Sequence, residues 1–424
     1  MKDRKRYKTQ LISKRSTDDD ISALFHHYTA RSGHPDWLEL HAEARALANR
    51  IRPQLEAPVS FWIDCHRYLR SCATALRNHV ANWHLTCVCR YDLWPLYFIW
   101  TTHRTCNFRC SYCDDHRGNK YPDLRNEGVL DTKKAIRMLK IMRTRVPSIL
   151  ISGGEPTLRK DLPAITLAAR NLNYFPIIVD TNGSILHQLL QKPAWRSWLA
   201  DIDHIVVSLD SLDAAVLTRM WRYKHPLDVI QNILLLRELS GDMRFKLMIN
   251  TTIQPDAIHH ARDILNWSND LGICFCPMPV NVGPTIDRSL LDNPDYLDLV
   301  KLILKRKREG YRIAGSIRMN ERMLTSQTLQ CRNTLKPNID YDGRLFWPCK
   351  SSIDVEPVLI NTLDFENVES IYRHASNLIN PTNFQQRCGA KCNWSQNYTT
   401  DAYVYGLRKP FSIAREIFNF LKAV

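Results

Sequence analysis

At 424 residues, 44% hydrophobic and 24% charged, the chain is long enough for about three domains of roughly 150 residues and is globular in composition, which excludes fibrous and wholly disordered classes. Its net charge of +15 fits nucleic acid, anionic lipid or an acidic substrate as partner. No stretch approaches the ~18–20 apolar residues of a spanning helix, since the best, Leu93 to Trp100, contains Pro95 and Tyr97.

In chain order, residues 1–19 form a basic tail (Lys2, Arg4, Lys5, Arg6, Lys8, Lys14 and Arg15 against Asp3) expected to be solvated. No apolar segment follows before Asp18-Asp19-Asp20, so the expectation is a cytoplasmic protein without a secretory signal. Residues 20–92 read as a helical extension. Phe61, Trp62, Cys65, Tyr68, Leu69, Cys72, Leu76, Val80 and Trp83 recur every three or four positions, a stripe expected to pack on the next domain. Because Arg67, Arg70 and Arg77 interleave with it, the alternative is a helix lying in a membrane interface.

Residues 93–310 alternate. Apolar runs at Leu96 to Trp100, Ser148 to Ile151, Phe175 to Val179, His204 to Ser208, Phe245 to Thr251 and Ile273 to Val280 read as strands. Helical stretches near 131–144, 161–172, 226–240, 257–271 and 295–309 separate them. Such βα units imply a parallel sheet with right-handed crossovers. Six of them are too few to close a barrel, so the expected fold is α/β, a partial (β/α)6 TIM-like barrel. In residues 311–400, Asn338 to Tyr341 and Arg344 to Pro348 flank Asp342-Gly343 as a β-hairpin. Residues 401–424 end the chain, with an amphipathic helix expected over 411–424.

Thirteen cysteines in a chain read as cytoplasmic point to metal or redox chemistry. Cys65, Cys72, Cys87, Cys89, Cys274 and Cys276 sit in apolar context and are expected to be buried, inert thiols. Cys106-Asn-Phe-Arg-Cys110-Ser-Tyr-Cys113 follows the first strand, where parallel βα barrels build active sites. Three thiolates can hold an iron–sulfur cluster and leave one iron open; a zinc site completed by His103 or His116 is the bland alternative.

This Cys-x3-Cys-x-aromatic-Cys motif resembles the signature of the radical S-adenosylmethionine (radical SAM) superfamily. Gly153-Gly154-Glu155-Pro156 after strand two is similar to the family's methionine-binding motif. Asp180-Thr181-Asn182-Gly183 and Ser208-Leu209-Asp210 close strands three and four. The resemblance spans about 93–310 as fold and reaches the C-terminal cysteines.

It implies that Cys106, Cys110 and Cys113 hold a 4Fe–4S cluster whose fourth iron is chelated by S-adenosylmethionine. Reductive cleavage would yield a 5′-deoxyadenosyl radical that abstracts hydrogen from a substrate. Gly153 and Gly154 would let backbone approach the ligand, and Glu155 would suit the methionine ammonium beside Pro156. Tyr112 would lie by the adenine, and Ser208, Asp210 and Asn250 would reach the ribose or carboxylate, with Asn182 an addition. Asp210 and Asn182 could equally cap turns. The family's glycine-rich strand-six motif is not evident in Ile273 to Met278.

Cys331, Cys349, Cys388 and Cys392 resemble the shortened SPASM extension called twitch, which implies a second, auxiliary 4Fe–4S cluster; a structural zinc is the alternative. Five residues separate Gly343 from Cys349 where SPASM has four, and the Cys-x2-Cys-x5-Cys run of full SPASM domains is missing, so one auxiliary cluster is expected. Expected partners are an electron donor such as flavodoxin or ferredoxin and an unidentified peptide or lipid-like substrate, with peripheral membrane contact left open. An RNA-modifying or RNA-binding iron–sulfur protein is the alternative, weakened because basic residues are spread outside the tail.

Overall fold

The computed structural model describes residues 36–55, 61–113, 128–329, 331–351, 356–388 and 392–409. The basic tail and the helix expected over 411–424 lie outside the described residues. Six parallel strands appear where the apolar runs place them: β1 Tyr97–Thr101, β2 Ser148–Ser152, β3 Ile177–Thr181, β4 His204–Ser208, β5 Lys246–Ile253 and β6 Cys274–Pro279. Every neighbouring pair is parallel and consecutive, so each connection is a crossover.

Before the strands come α1 (Trp37–Ile51) and α2 (Phe61–Cys87). Between them lie α3 (Thr132–Arg143), α4 (Leu162–Asn171), α5 (Leu186–Leu189), α6 (Pro193–Asp201), α7 (Ala214–Trp221), α8 (Leu227–Ser240) and α9 (Ile258–Asp270). The short α5, α6 and α7 were not anticipated. Asp131 caps α3 by accepting from the Lys134 amide, and Asp213 caps α7 through the Ala215 and Val216 amides. In α8, consecutive Leu234, Leu235 and Leu236 are all buried, because α1 covers its outer side with Trp37, Ala44, Ala48 and Ile51.

Along each strand one residue parity is buried beneath helices, among them Phe98, Trp100, Ile149, Ile151, Val179, Ile205, Val207 and Ile249, all 0% exposed. The other parity (Tyr97, Ser152, Asp180, Ser208, Asn250, Cys276) is only half-buried, because it lines the hollow of the partial barrel.

After β6, a small ribbon pairs β7 (Asn281–Val282) with β8 (Thr285–Ile286), and α10 (Arg288–Leu291), α11 (Pro294–Glu309) and α12 (Ile317–Leu324) follow. The expected hairpin forms as β9 (Asn338–Ile339) and β10 (Arg344–Trp347), with Gly343 at φ 82° in the turn. It does not stand apart. β9 pairs in parallel with β1, and β11 (Val358–Asn361) extends β10, giving one nine-stranded sheet in the order β11-β10-β9-β1-β2-β3-β4-β5-β6. Last come α13 (Val368–Leu378), α14 (Pro381–Cys388) and α15 (Tyr398–Arg408).

The expectation for the apolar stripe of α2 is overturned from Leu69 onward, while Tyr68 packs on Phe175 with centroids 4.2 Å apart and the side chains of Phe61 and Trp62 lie outside the described residues. Leu69, Leu76, Val80 and Trp83 are 54–70% exposed, whereas Asp64, Arg67, Ser71, Asn78 and Asn82 face inward and are buried. The Arg67 guanidinium donates to the Tyr174 carbonyl (2.9 Å) and grips Asp203 with both terminal nitrogens (2.8 and 2.5 Å). Ser71 donates to the carbonyls of Pro147 and Phe175, Asn78 to those of Pro95 and Arg145, and Asn82 to that of Trp94. These carbonyls lie just before β1, β2 and β3, at the N-terminal end of the barrel. Buried carbonyls demand donors, and the polar side of α2 supplies them. With that side committed, the apolar side is left facing solvent. Cys72, Cys87 and Cys89 therefore stand exposed, contrary to the expectation of burial; Cys274 is buried, and Cys65 and Cys276 are half-buried.

Candidate active site and auxiliary cysteine site

Cys106, Cys110 and Cys113 lie on the loop leaving the C-terminal end of β1, all half-buried. Three neighbours hold that loop. Its first residues run beside the loop after β2: the Thr102 amide donates to the Ser152 carbonyl (2.9 Å), the Gly154 amide to His103 (2.8 Å) and the Glu155 amide to Thr105 (2.8 Å). A Cβ on Gly154 would overlap the carbonyl oxygens of Arg104 and Thr105, and one on Gly153, at φ 154°, would lie 2.7 Å from the His103 carbonyl oxygen. The glycines thus serve this backbone-to-backbone approach, and not only the approach of a ligand that the motif implies.

The second neighbour is the end of α7. The Arg109 amide donates to the Trp221 carbonyl (2.8 Å), and Phe108 stacks on Trp221 with centroids 5.0 Å apart. The third is the hairpin, through Arg104 to Asp340 at 2.6 Å.

Glu155 is 0% exposed. Its Oε1 accepts from the Thr157 amide and hydroxyl and the Thr181 hydroxyl, and its Oε2 from the Asn182 amide (2.6 Å). It stitches the β2 loop to the β3 loop, where the motif had suggested a carboxylate presented to an ammonium. Burial raises its pKa while these four donors oppose the shift. Pro156 opens the short 3-10 turn that follows.

Asp210 is likewise committed, to Tyr112, to Trp221 Nε1 (2.7 Å) and to the Thr252 amide (2.8 Å). It is 2% exposed, so it anchors the Tyr112 ring and does not face the hollow. Asn182 combines both roles read for it. Its Oδ1 accepts from the Ser184 amide and hydroxyl as a turn cap, while Nδ2 donates to Asn107 (2.8 Å) and lies 3.9 Å from the Cys106 sulfur. Ser208 and Asn250 are register partners on β4 and β5, half-buried and side by side on the inner face, with Cys276 next on β6.

The structure fits a thiolate-held cluster at the first set. Burial pushes Cys106 up to about 12, aided by the Glu155 charge, and Cys110 well up, aided by Asp210; the three thiols act on one another. A bound metal would supply the positive charge that brings such thiols to thiolates. For the zinc alternative, both ring nitrogens of the buried His103 are without a hydrogen-bond partner among the described residues, and His116 lies outside the described residues.

The second set is deeper. Cys331, Cys349, Cys388 and Cys392 are 2–9% exposed. Each acts electrostatically on at least one other, and Phe384 and Trp394 pack around them. The Ser351 amide donates to the Cys349 sulfur (3.3 Å) and the Trp394 amide to that of Cys392 (3.5 Å). Among the described residues, no three His, Cys, Asp or Glu side chains are set to hold a single metal ion.

The family model for the Radical SAM superfamily matches residues 100–267. Residues 100–267 are a radical SAM domain. Over 166 residues the chain is 32% identical to a GTP 3′,8-cyclase of Cronobacter sakazakii, covering 38% of this chain and 48% of that protein, so it spans about half the length of that relative. The structure resembles SuiB of Streptococcus suis with a TM-score of 0.51 at 18% identity, over 70% of this chain and 69% of that one. It also resembles anSMEcpe with bound AdoMet, with a TM-score of 0.50 at 13% identity, over 77% and 98%. These likenesses show the fold that carries the radical SAM domain. That superfamily uses a 4Fe–4S cluster with S-adenosylmethionine.

Sequence reasoning missed Asn107, Ser184, Trp221 and Thr252, which fix Asn182 and Asp210. Asn107 lay inside the cysteine motif and was legible there; the other three reach the site only through tertiary packing. It also missed Asp180, on the inner face of β3, which burial and the Glu155 charge hold up to about 7. Lys336, 0% exposed beside the second cysteine set, was missed as well.

Proposed function

We propose that the chain is a radical SAM enzyme with two iron–sulfur centres that abstracts hydrogen from a peptide admitted to the hollow of the partial barrel. The observation that carries this reading is the three-thiol loop held against Gly153-Gly154 at the C-terminal mouth of a half-open lumen. When bound, the cluster and S-adenosylmethionine supply a 5′-deoxyadenosyl radical on delivery of one electron from a donor such as a flavodoxin or ferredoxin.

The chain's own residues supply placement. Cys106, Cys110 and Cys113 hold the cluster, and Asn182 orients the Cys106 sulfur. Tyr112, pinned by Asp210, offers a fixed aromatic edge. Ser208 and Asn250 present polar side chains to the ribose or carboxylate from adjacent strands. The inner-face groups Asp180 and Cys276 line the space the substrate enters, and the buried parity of the strands excludes water from behind it. A peptide is proposed because the auxiliary-cluster architecture that the C-terminal cysteines resemble most often serves peptide substrates.

The test is anaerobic reconstitution, reduction with dithionite and assay of 5′-deoxyadenosine with S-adenosylmethionine. The expected result is about eight irons per chain and 5′-deoxyadenosine that vanishes in the triple Cys106→Ala, Cys110→Ala, Cys113→Ala variant. Absence of iron uptake overturns the reading.

A further inference from the structure

Lys336 is 0% exposed, and among the described residues its ammonium has no hydrogen-bond acceptor. It lies over the Trp394 ring, 4.6 Å from the centroid, and the groups that favour its charge are the sulfurs of Cys349, Cys331 and Cys392. A cation withdrawn from water without an acceptor is costly, and a fold keeps one where an anion offsets the cost. The nearby groups that become anionic are the four thiols on metal binding. Burial and the charge of Lys350 oppose the ammonium, and among the described residues the leading charges that favour it are those sulfurs, not carboxylates. The indole face adds a cation–π seat that fixes the ammonium without neutralising it.

We propose that Lys336 is the built-in counter-charge of the auxiliary centre, a positioning residue that raises the reduction potential of the cluster held by Cys331, Cys349, Cys388 and Cys392. This rests on the auxiliary-cluster reading. A fixed positive charge beside a cluster favours the reduced, more negative state, so removing it lowers the potential. Without metal the same lysine is a liability, so its removal stabilises the empty protein. A packing role alone would not produce these opposite signs.

The experiment uses the full chain carrying Cys106→Ala, Cys110→Ala and Cys113→Ala, so that only the auxiliary centre reports, with and without Lys336→Met. An EPR-monitored redox titration is expected to give a more negative midpoint in the Lys336→Met protein. Thermal melts of the metal-free proteins are expected to give a higher Tm for it. An unchanged midpoint in a fully loaded variant overturns the proposal. Should Lys336→Met prevent loading, Lys336→Gln is titrated by the same criterion, and failure of both to load while the metal-free variants melt lower than the parent also overturns it. If the parent binds zinc in place of iron, the auxiliary-cluster reading falls separately. Zinc loss to a chelator then decides: faster loss in Lys336→Met keeps the counter-charge role, and equal rates end it.

Discussion

The loop of Cys106, Cys110 and Cys113 and the pocket of Cys331, Cys349, Cys388 and Cys392 use the same ligand atom in opposite electrostatic settings. The first set is half-buried at the mouth of the hollow, and the strongest outside charges on it are carboxylates, Glu155 on Cys106 and Asp210 on Cys110. The second is buried, and the charges of Lys336 and Arg332 act on it. Carboxylates resist an added electron and cations welcome it, so on the two-cluster proposal the centres would differ in electron affinity although both would be sulfur-bound. On that proposal the first would be suited to give its electron away, and the second to accept or store one.

The largest expected effect that would break this comparison is loss of one centre without the other. Cys388→Ser is expected to remove about half of the bound iron while 5′-deoxyadenosine still forms; loss of both by iron count and assay would mean the two sites fold as one. Next is Gly154→Ala, whose methyl group meets backbone that cannot yield. Displacement of the first loop is expected to cut 5′-deoxyadenosine formation by roughly 100-fold, with the auxiliary EPR signal unchanged.

A smaller effect sharpens the role of Asp210. Asp210→Asn weakens its bonds to Tyr112 and Trp221 and is expected to cost about 1–3 kcal/mol in chemical denaturation.

The smallest concerns Asp180. Burial holds it up to about 7, against an ordinary value of roughly 4 in the unfolded chain. Between those values the unfolded chain has already released a proton that the folded chain keeps, so stability falls as pH rises through that window. Asp180→Asn should remove that part of the slope, on the order of 1 kcal/mol after screening by water in the hollow. A Tm–pH profile identical to that of the parent excludes Asp180 as its source.

Much of the core was legible because its signals are local. The apolar runs at 148–151 and 204–208 begin at the observed strand starts Ser148 and His204, and Cys-x3-Cys-x2-Cys needs no tertiary information to be read. What escaped depends on contacts far apart in the chain. The spacing of Leu69, Leu76, Val80 and Trp83 says that they share a face of α2, but not that Asn78 and Asn82 on the other face meet carbonyls waiting before the strands. The pairing of β9 with β1 joins segments more than 200 residues apart, so the hairpin read as separate when it is the continuation of the sheet. Glu155 and Asp210 have the residue types of ligand contacts, and only the folded chain shows their oxygens already occupied. Lys336, between Leu335 and Pro337, carries no pattern of its own.

The inverted seating of α2 bears on where this molecule can be cut. Every motif of its radical SAM domain lies after residue 93, yet the side chains that satisfy the floor of the barrel come from Arg67, Ser71, Asn78 and Asn82. A chain trimmed to its motifs would keep its recognisable chemistry and lose its bottom seal, leaving backbone oxygens of the strand entrances open to water. For this protein the shortest recognisable unit leaves out the donors that its own strand entrances use.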